Sequence, residues 1–297
     1  MPPSSGPPEI FDARRRAAKL ARGETAFAAS DFLHVRAADN AVNSLEVILR
    51  DFPDVVDLSA RPGPFARLMA ESDAAQRVGA AKVVGDAAAR AAPGATPLDL
   101  PDQSQDLIVS LMSLHWANDL PGALAQIRRA LKPDGLFIGT LLGAGTLKEL
   151  RQVLTEAELE VRGGAQARVS PFADGFDGAA LLQRAGFALP VSDVDRVTVR
   201  YRDLYALITD LRGMGETNAL AGGIRPLTRG LLARAAELYA ERFSEPDGRL
   251  QATFEIVHLA GWAPHERQQK PLPRGSAKVR LADALGVKEW TGTEDPG

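Results

Sequence analysis

His115, Trp116 and Asn118 are the side chains whose types and position best suit chemistry, because they closely follow an apolar run at 107–111. Such a run predicts a buried strand, and the ligands of open parallel sheets bind beyond the carboxyl ends of the strands. An imidazole titrates near neutral pH, which makes His115 the candidate general base, with a packed loop histidine as the alternative. Trp116 is predicted to stack on a bound ligand or to face a cation, with packing over the sheet edge as the alternative.

The segments that must position these side chains alternate between strand and helix patterns. Strands are predicted at 54–58, 82–84, 107–111, 136–142, 194–201 and 252–260, and the main helices at 12–22, 38–50, 124–131, 147–154, 178–184, 203–212 and 228–243. This alternation predicts an α/β fold with a doubly wound, mostly parallel sheet. The two helices before the last strand form an insertion, which either covers the ligand edge as a lid or adds a second helical layer.

Several blocks of sequence carry a family resemblance: 10–12, 113–122, 131–139, 170–172, 184–187, 210–218, 247–248, 252–253, 261–262 and 274–277. Together they resemble methyltransferase-superfamily proteins that act as assembly factors for respiratory complex I, whose mitochondrial member is regarded as a protein-arginine hydroxylase. The resemblance spans roughly residues 9 to 286. It implies a class I methyltransferase fold with a seven-stranded sheet, S-adenosylmethionine as the cofactor, and a complex I subunit or assembly intermediate as the partner.

The loop after the first predicted strand is where the resemblance implies cofactor binding. Asp57 ends that strand like the acidic residue of the superfamily. Ser59, Arg61 and Gly63 stand at the three glycine positions, where a backbone without Cβ lets a ligand approach closely. Asp57, Ser59 and Gly63 are therefore predicted cofactor contacts, with a helix-capping or turn aspartate as the alternative for Asp57. Arg61 departs from the pattern, and its guanidinium either turns outward, pairs with a ligand carboxylate or occupies the site.

Asp86 follows the second predicted strand and is the candidate acceptor for the ribose hydroxyls of the cofactor, with a solvated loop acid as the alternative. Trp116 is the candidate to stack on the cofactor. Methyl transfer needs mainly alignment and a dry site, whereas hydroxylation needs oxygen activation by a metal or an organic cofactor. No two of the four histidines have the i, i+4 spacing of a helical metal pair, so no metal site is predicted.

Composition limits the other classes of function. The net charge of −3 gives no broad electrostatic reason to bind nucleic acid, and the basic cluster at 14–22 is interpreted as a solvated helix face. The chain has no cysteine, which excludes disulfides, thiolate nucleophiles and cysteine-held metal clusters. No apolar run reaches the length of a membrane span, and the start lacks the apolar core of a signal peptide. We therefore expect a cytoplasmic protein in a bacterium, or a mitochondrial matrix protein in a eukaryote.

Both ends of the chain are rich in proline and glycine, which favours disorder. The predicted organisation is a disordered start at 1–8, an N-terminal helical segment at 9–50, a methyltransferase-like Rossmann core at 51–201, a helical insertion or lid at 202–249, the last strand with a C-terminal extension at 250–290, and a disordered tail at 291–297.

Three functional hypotheses remain open. The leading one is an enzyme that binds S-adenosylmethionine and methylates or hydroxylates a protein during complex I assembly, as the resemblance implies. The second is a non-catalytic assembly chaperone with a degenerate cofactor site, which Ser59 and Arg61 motivate. The third is a methyltransferase for a small or carrier-bound carboxylate, held by Arg212 or Arg225 of the insertion, with a solvated helix arginine as the alternative.

Overall fold

A computed structural model of the chain describes residues 9–86, 88, 98–172, 177–269, 279, 283, 284 and 286. The predicted disordered ends, 1–8 and 291–297, lie outside the described residues. Residues 1–264 form one structural unit and residues 265–297 a second. All elements described below belong to the first unit.

The first unit is built on a sheet whose strands are β1 Val55–Asp57, β2 Lys82–Val83, β3 Gln105–Ser110, β4 Leu131–Leu142, β5 Ala188–Tyr201 and β6 Leu250–Trp262. The strand order is β2-β1-β3-β4-β6-β5, in which β2, β1, β3 and β4 are parallel and β6 is antiparallel to both of its neighbours. The predicted mostly parallel α/β sheet is confirmed, although the described residues give six strands rather than seven. The two-residue β2 ends the sheet, and much of the Ala- and Pro-rich stretch that follows lies outside the described residues.

The described helices are α1 Ala13–Gly23, α2 Phe32–Val47, α3 Gly63–Glu71, α4 Leu120–Ala130, α5 Lys148–Arg162, α6 Gly178–Arg184, α7 Leu204–Met214 and α8 Arg229–Phe243, with two short 3-10 helices at Glu24–Ala29 and Leu114–Trp116. Asp12, Asp119, Asp203 and Thr228 accept hydrogen bonds from backbone N–H groups in the first turns of α1, α4, α7 and α8. These side chains satisfy N–H groups that have no partner within the helix.

Parallel strands that are covered by helices on both faces have continuous apolar runs, as Val55 and Val56 form in β1 and residues 107–109 form in β3. Val56 and Ile108 lie in one hydrophobic cluster with residues of α4 and α6. Leu107 and Val109 lie in another cluster, with residues of α2 and α3. Helices therefore cover both faces of the sheet, and the loops after β1, β2 and β3 all emerge at one edge.

The start of α5 corrects a sequence-based expectation. The spacing of Thr146 and Glu149 predicts a capping box, but neither side chain caps the helix. The Thr146 hydroxyl instead bonds to the backbone of Glu255, and the Glu149 carboxylate accepts from the Thr253 backbone N–H and hydroxyl. Both residues thus fasten α5 to β6, because a neighbouring strand offers partners that the spacing along the chain does not reveal.

The two inserted helices, α7 and α8, lie between β5 and β6. α8 packs along α5, and α7 packs against α1 and the 3-10 helix that follows it. α1 and α7 approach closely at Gly23, where an added Cβ would lie only 2.5 Å from the carbonyl oxygen of Arg212. α7 and α8 share one hydrophobic cluster with α5 and β6, so they form a helical layer that is continuous with the core. Within the described part of the chain, no helix is both long enough and apolar enough to span a membrane.

Candidate functional site

The carboxyl ends of β1, β2 and β3 bring three predicted site residues to the same edge of the sheet. Asp57 ends β1, Asp86 follows β2, and His115 follows β3. The Ser113 hydroxyl donates a hydrogen bond to the carboxylate of Asp86, which ties the loop after β3 to the loop after β2. This edge is where open α/β sheets bind ligands.

The loop after β1 is closed by its own polar side chains. The buried Asp57 carboxylate accepts a hydrogen bond of 2.8 Å from the Ser59 backbone N–H, and the Ser59 hydroxyl accepts one of 2.8 Å from the Leu111 N–H. Burial raises the pKa of Asp57, and the hydrogen bonds from Ser59 oppose that shift. An added Cβ at Gly63 would meet no atom within 4 Å. Asp57 and Ser59 thus fix the loop against β3, while Gly63 borders open space.

Arg61, at the second glycine position, turns toward the N-terminal helices. Its Nη2 donates a hydrogen bond of 2.6 Å to the carbonyl oxygen of Leu20, and its guanidinium lies 4.8 Å from the ring centre of Phe27. Its Nε is buried and has no hydrogen-bond partner among the described residues. Burial and the nearby Arg16 lower the pKa of Arg61, so its positive charge is poorly compensated.

Asp86 presents one free acceptor to the edge of the sheet. Its Oδ1 accepts hydrogen bonds from the Ala88 N–H, at 3.0 Å, and from the Ser113 hydroxyl. Its Oδ2 is buried without a hydrogen-bond partner in the part of the chain that is described. The preceding Gly85 has a φ of +102°, and an added Cβ there would meet no atom within 4 Å. A buried carboxylate oxygen normally has a donor, so this oxygen is suited to a donor from a ligand.

A fully buried carboxylate, Glu216, holds the centre of the site. Its Oε1 accepts a hydrogen bond of 2.9 Å from Nη2 of Arg16, while Nη1 of Arg16 donates to the carbonyl oxygen of Gly215 at 2.6 Å. Its Oε2 lies 2.9 Å from both Nε2 of His115 and Nε1 of Trp116. Arg16, His115, Trp116 and Glu216 are each no more than 6% exposed. α1, the loop after β3 and the end of α7 therefore meet at one ionic cluster.

The hydrogen-bonding roles in this cluster follow from its charges. Burial alone would raise the pKa of Glu216, but Arg16 and His115 lower it well below the ordinary carboxyl range. An ionised carboxylate can only accept hydrogen bonds, and an indole N–H can only donate one. Nε2 of His115 therefore carries a hydrogen and donates a hydrogen bond to Glu216. In neutral His115 the lone pair then lies on Nδ1, which is buried and has no partner among the described residues. Nδ1 is therefore the atom of His115 that can accept a proton.

Trp116 and Asn118 both bind the N-terminal segment. The Trp116 ring lies 5.1 Å from Phe11, centre to centre, and 4.8 Å from the Arg16 guanidinium. The Asn118 side chain accepts from the N–H groups of Ile10 and Phe11 and donates to the carbonyl oxygen of Phe11. Asn118 is thus a structural clamp, and the predicted stacking of Trp116 on a cofactor stays a prediction.

Arg16 and Glu216 are site residues that are not predicted from the sequence, where Arg16 belongs to a basic cluster typical of a solvated helix face. A signal exists in the spacing of α1, where Arg16, Leu20 and Gly23 follow one another at i, i+4 and i+7 and share a face. An arginine on the face that carries Leu20 and the closely packed Gly23 must be paired when it is buried. Glu216 lies in the family-like block at 210–218 but has no local pattern of its own.

A cavity of about 320 Å³ adjoins the ionic cluster, and Glu216 forms part of its wall. Side chains of α5, α7, α8, β4 and β6 make the wall largely apolar, among them Leu150, Leu154 and Phe254. Lys19 and Arg212 line the cavity as well. Of the two arginines proposed from sequence for a carboxylate, Arg212 lines this cavity together with Glu216, although Arg212 is also partly open to solvent as an exposed residue of α7.

The residues at the sheet edge fit a nucleoside cofactor. Asp86 offers an acceptor that has no donor among the described residues, and an added Cβ at Gly63 or at Gly85 would meet no atom within 4 Å. Arg61 and His34 add buried donors and acceptors without partners among the described residues. Burial lowers the pKa of His34 to about 4, so this imidazole is neutral. The described residues contain no group of three His, Asp or Glu side chains arranged to hold a metal ion.

Comparison with known proteins gives two kinds of match. A model of the methyltransferase domain matches residues 56–139. "Malonyl-[acyl-carrier protein] O-methyltransferase" of Laribacter hongkongensis is 38% identical over 182 residues, which cover 60% of this chain and 58% of that protein. "Arginine-hydroxylase NDUFAF5, mitochondrial" of zebrafish is 45% identical over 186 residues, covering 63% of this chain and 58% of that protein.

The extent of these alignments differs among the relatives. The chain spans about half the length of several of them, 58% of the zebrafish protein and 44% of the Dictyostelium discoideum protein. The mouse protein of the same name is 36% identical over 274 residues, and this match covers 87% of the present chain and 78% of the mouse protein. With this extent of similarity to the mouse protein, the chain belongs to the NDUFAF5 arginine-hydroxylase family.

Proposed function

We propose that this protein binds S-adenosylmethionine at the carboxyl edge of β1, β2 and β3 and modifies a protein substrate during assembly of respiratory complex I. The observation that carries the proposal is the buried Oδ2 of Asp86, which has no hydrogen-bond partner among the described residues and follows β2 at the edge where Asp57 ends β1. This oxygen would accept a hydrogen bond from a ribose hydroxyl of the cofactor. The loop that contains Asp57 and Ser59 would hold the amino acid end of the cofactor. The family relationship and the matched methyltransferase domain give the cofactor its identity.

His115 and Glu216 supply the proton chemistry of the proposed reaction. The bound cofactor supplies an electrophilic methyl group. Nδ1 of His115 takes up the proton that a nitrogen or oxygen acceptor loses, and Glu216 holds the imidazole in the tautomer that leaves Nδ1 free. Glu216 is therefore a positioning residue.

We propose the type of reaction and the cellular location from the names of the relatives. The name of the mouse and zebrafish proteins specifies arginine hydroxylation and a mitochondrial location. Arginine hydroxylation of the same protein substrate is the alternative to methylation. The present chain is placed in the cytoplasm if its source is bacterial and in the mitochondrial matrix if it is eukaryotic.

Titration calorimetry with S-adenosylmethionine and S-adenosylhomocysteine is the first test. Binding of both ligands to the wild type, weakened by Asp86→Asn, is expected because the ribose loses a charged acceptor. Asp102 is an exposed aspartate that precedes the amino end of β3, away from the proposed site. The variant Asp102→Asn is therefore the matched control and should bind like the wild type. Absence of heat and of a thermal shift with either ligand would remove the cofactor and favour the chaperone hypothesis. For the assembly role, a deletion strain should contain less assembled complex I, and an unchanged content would refute it.

A carrier-bound carboxylate is the second candidate substrate, and Arg212 is the observation that favours it. This arginine lines the apolar cavity together with Lys19, and the Laribacter relative is named as a methyltransferase for malonyl-acyl-carrier protein. Arg225 does not line this cavity. Incubation with methyl-labelled cofactor and separate pools of acyl carrier proteins and complex I subunits distinguishes the two substrates. Label in the acyl carrier pool alone would overturn the leading proposal.

A further inference from the structure

The cavity beside Glu216 combines an apolar interior with positive charge. We propose that it is a binding site for an amphipathic carboxylate, whose acyl chain lies among the leucines of α5 and α8 and whose carboxylate lies between Lys19 and Arg212. The site is a feature of the helical layer and does not require S-adenosylmethionine. It deepens the second candidate function by giving that substrate an apolar chain.

The interior of the cavity suits a hydrocarbon chain. Leu150 and Leu154 line it from α5, Leu232 from α8 and Phe254 from β6. Water has few hydrogen-bond partners along these apolar walls, so a hydrocarbon chain that lies against them loses contact with water and replaces few polar contacts. The volume of about 320 Å³ is within the range of small-molecule sites.

The polar residues of the cavity lie on other elements, namely α1, the end of α7 and the segments that follow α5 and α7. Lys19 and Arg212 have no ion-pair partner among the described residues, and Nζ of Lys19 donates only to the Thr217 hydroxyl, at 2.9 Å. The other two charged groups in the wall are neutralised, because Arg168 pairs with Glu158 and Glu216 pairs with Arg16. Two positive charges of the wall therefore have no counter-ion within the described part of the chain.

The surroundings of Lys19 show that this charge is costly. Burial and then the neighbouring arginines, Arg22, Arg15, Arg212 and Arg16, lower the pKa of Lys19. An anion placed between Lys19 and Arg212 relieves this repulsion, whereas the guanidinium of a substrate arginine increases it. Charge complementarity thus selects a carboxylate over a cation, and the apolar walls select a long chain over a short one.

The experiment compares three ligands with the same alkyl chain, dodecanoate, dodecanol and dodecyltrimethylammonium, by calorimetry on the full-length protein. The two charged ligands are used below their micelle-forming concentrations and dodecanol below its solubility limit. We expect dodecanoate to bind about tenfold more tightly than dodecanol, and dodecyltrimethylammonium to bind most weakly. The double variant Lys19→Gln/Arg212→Gln should bind dodecanoate and dodecanol alike. Arg202→Gln, at an arginine that is exposed on the surface, is the control and should behave like the wild type.

A second variant tests the apolar part of the site. Leu154→Trp places a larger side chain in the cavity and should weaken all three ligands, with circular dichroism to show that the variant is folded. Equal binding of dodecanoate and dodecanol to the wild type, unchanged binding in the double variant, or binding of butanoate as tight as that of dodecanoate would each overturn the proposal. Absence of binding would also overturn it. A parallel titration with S-adenosylhomocysteine separates failure of this site from failure of the proposed function.

Discussion

Nε2 of His115 lies 2.9 Å from Oε2 of Glu216, although the two residues are 101 positions apart in the sequence. The same carboxylate neutralises Arg16 through its other oxygen. One buried group therefore sets the tautomer of the candidate base and compensates a charge on the N-terminal helix. The proposed proton transfer and the stability of the fold therefore involve the same cluster.

His115→Ala tests the role of the proposed base. Removing the proton acceptor should lower the rate of methyl transfer by about 10²–10⁴-fold, the usual contribution of general acid–base catalysis. Affinity for S-adenosylhomocysteine, measured by calorimetry, should change little because neither ring nitrogen is assigned to the cofactor. His265→Ala in the second unit is the matched control. An unchanged rate in His115→Ala would remove this residue from the mechanism.

Arg16→Ala and Arg14→Ala separate a buried from an exposed arginine on the same helix. Arg16 is 3% exposed and paired with Glu216, whereas Arg14 is exposed. Breaking the buried pair should lower the free energy of unfolding by about 3–5 kcal/mol, since it leaves a buried charge uncompensated. Arg14→Ala should change it by about 0.5 kcal/mol or less. Urea unfolding measures both, and equal effects would show that the Arg16 pair contributes nothing to stability.

The elements that follow local patterns could be predicted from the sequence, and the ionic cluster could not. Runs such as 107–111 and 136–142 lie within short segments, so the alternation of strands and helices gives the α/β fold. The strand ends also brought Asp57, Asp86 and His115 to one edge as expected. Glu216 reaches this edge only because α7 packs against α1, a contact between segments about 200 residues apart in the sequence.

The orientation of the Arg61 side chain also depends on contacts between distant segments. The sequence gives the position of Arg61 in the loop after β1, but it is compatible with three orientations of the guanidinium. The orientation depends on Leu20 and Phe27, which lie on separate N-terminal helices. Only the packing of those helices over the loop decides that the side chain turns toward them.

The acid side of the stability curve should reflect His34. Its pKa is about 4 in the folded protein, because burial lowers it from 6.5. Between these two pH values the unfolded chain binds a proton that the folded chain does not, so stability falls as the pH is lowered from 6.5 to 4. The shift corresponds to about 3 kcal/mol. Urea unfolding at several pH values should show this loss in the wild type and a smaller one in His34→Gln. Equal slopes would contradict it.

The contribution of Glu216 to stability should be lost at lower pH than that of His34. Its pKa is lowered in the folded protein, so its contribution to stability is complete above the ordinary carboxyl pKa of 4.5. That contribution is lost as the pH falls further, toward the lowered value. A stability curve that stays level below pH 4.5 would mean that the carboxylate does not hold the cluster together.

Arg61→Gln tests whether the buried Nε faces the amino acid end of the cofactor. S-adenosylhomocysteine carries a carboxylate that 5′-methylthioadenosine lacks. If this carboxylate pairs with Nε, the variant should bind S-adenosylhomocysteine about tenfold more weakly and methylthioadenosine as before. Equal weakening of both ligands would indicate an indirect effect through the N-terminal helices. A wild type that binds neither ligand, together with an Arg61→Gly variant that binds S-adenosylhomocysteine, would support the degenerate site of the chaperone hypothesis.

Trp116 is the residue in which packing and cofactor contact must be separated. Its ring is 3% exposed and packs between Phe11 and Arg16, so Trp116→Ala should lower the free energy of unfolding by about 3–5 kcal/mol. Trp116→Phe keeps an aromatic ring and removes the N–H that binds Glu216, which should cost less.

The affinity for S-adenosylhomocysteine distinguishes the two roles of Trp116. If the ring stacks on the cofactor, Trp116→Ala should lose about tenfold in affinity, or 1.4 kcal/mol, while Trp116→Phe retains most of it. Titrations at a temperature where circular dichroism shows both variants to be folded make the comparison valid. Wild-type affinity in folded Trp116→Ala would assign the ring to packing alone, and the cofactor contacts would then rest on Asp57, Ser59, Gly63 and Asp86.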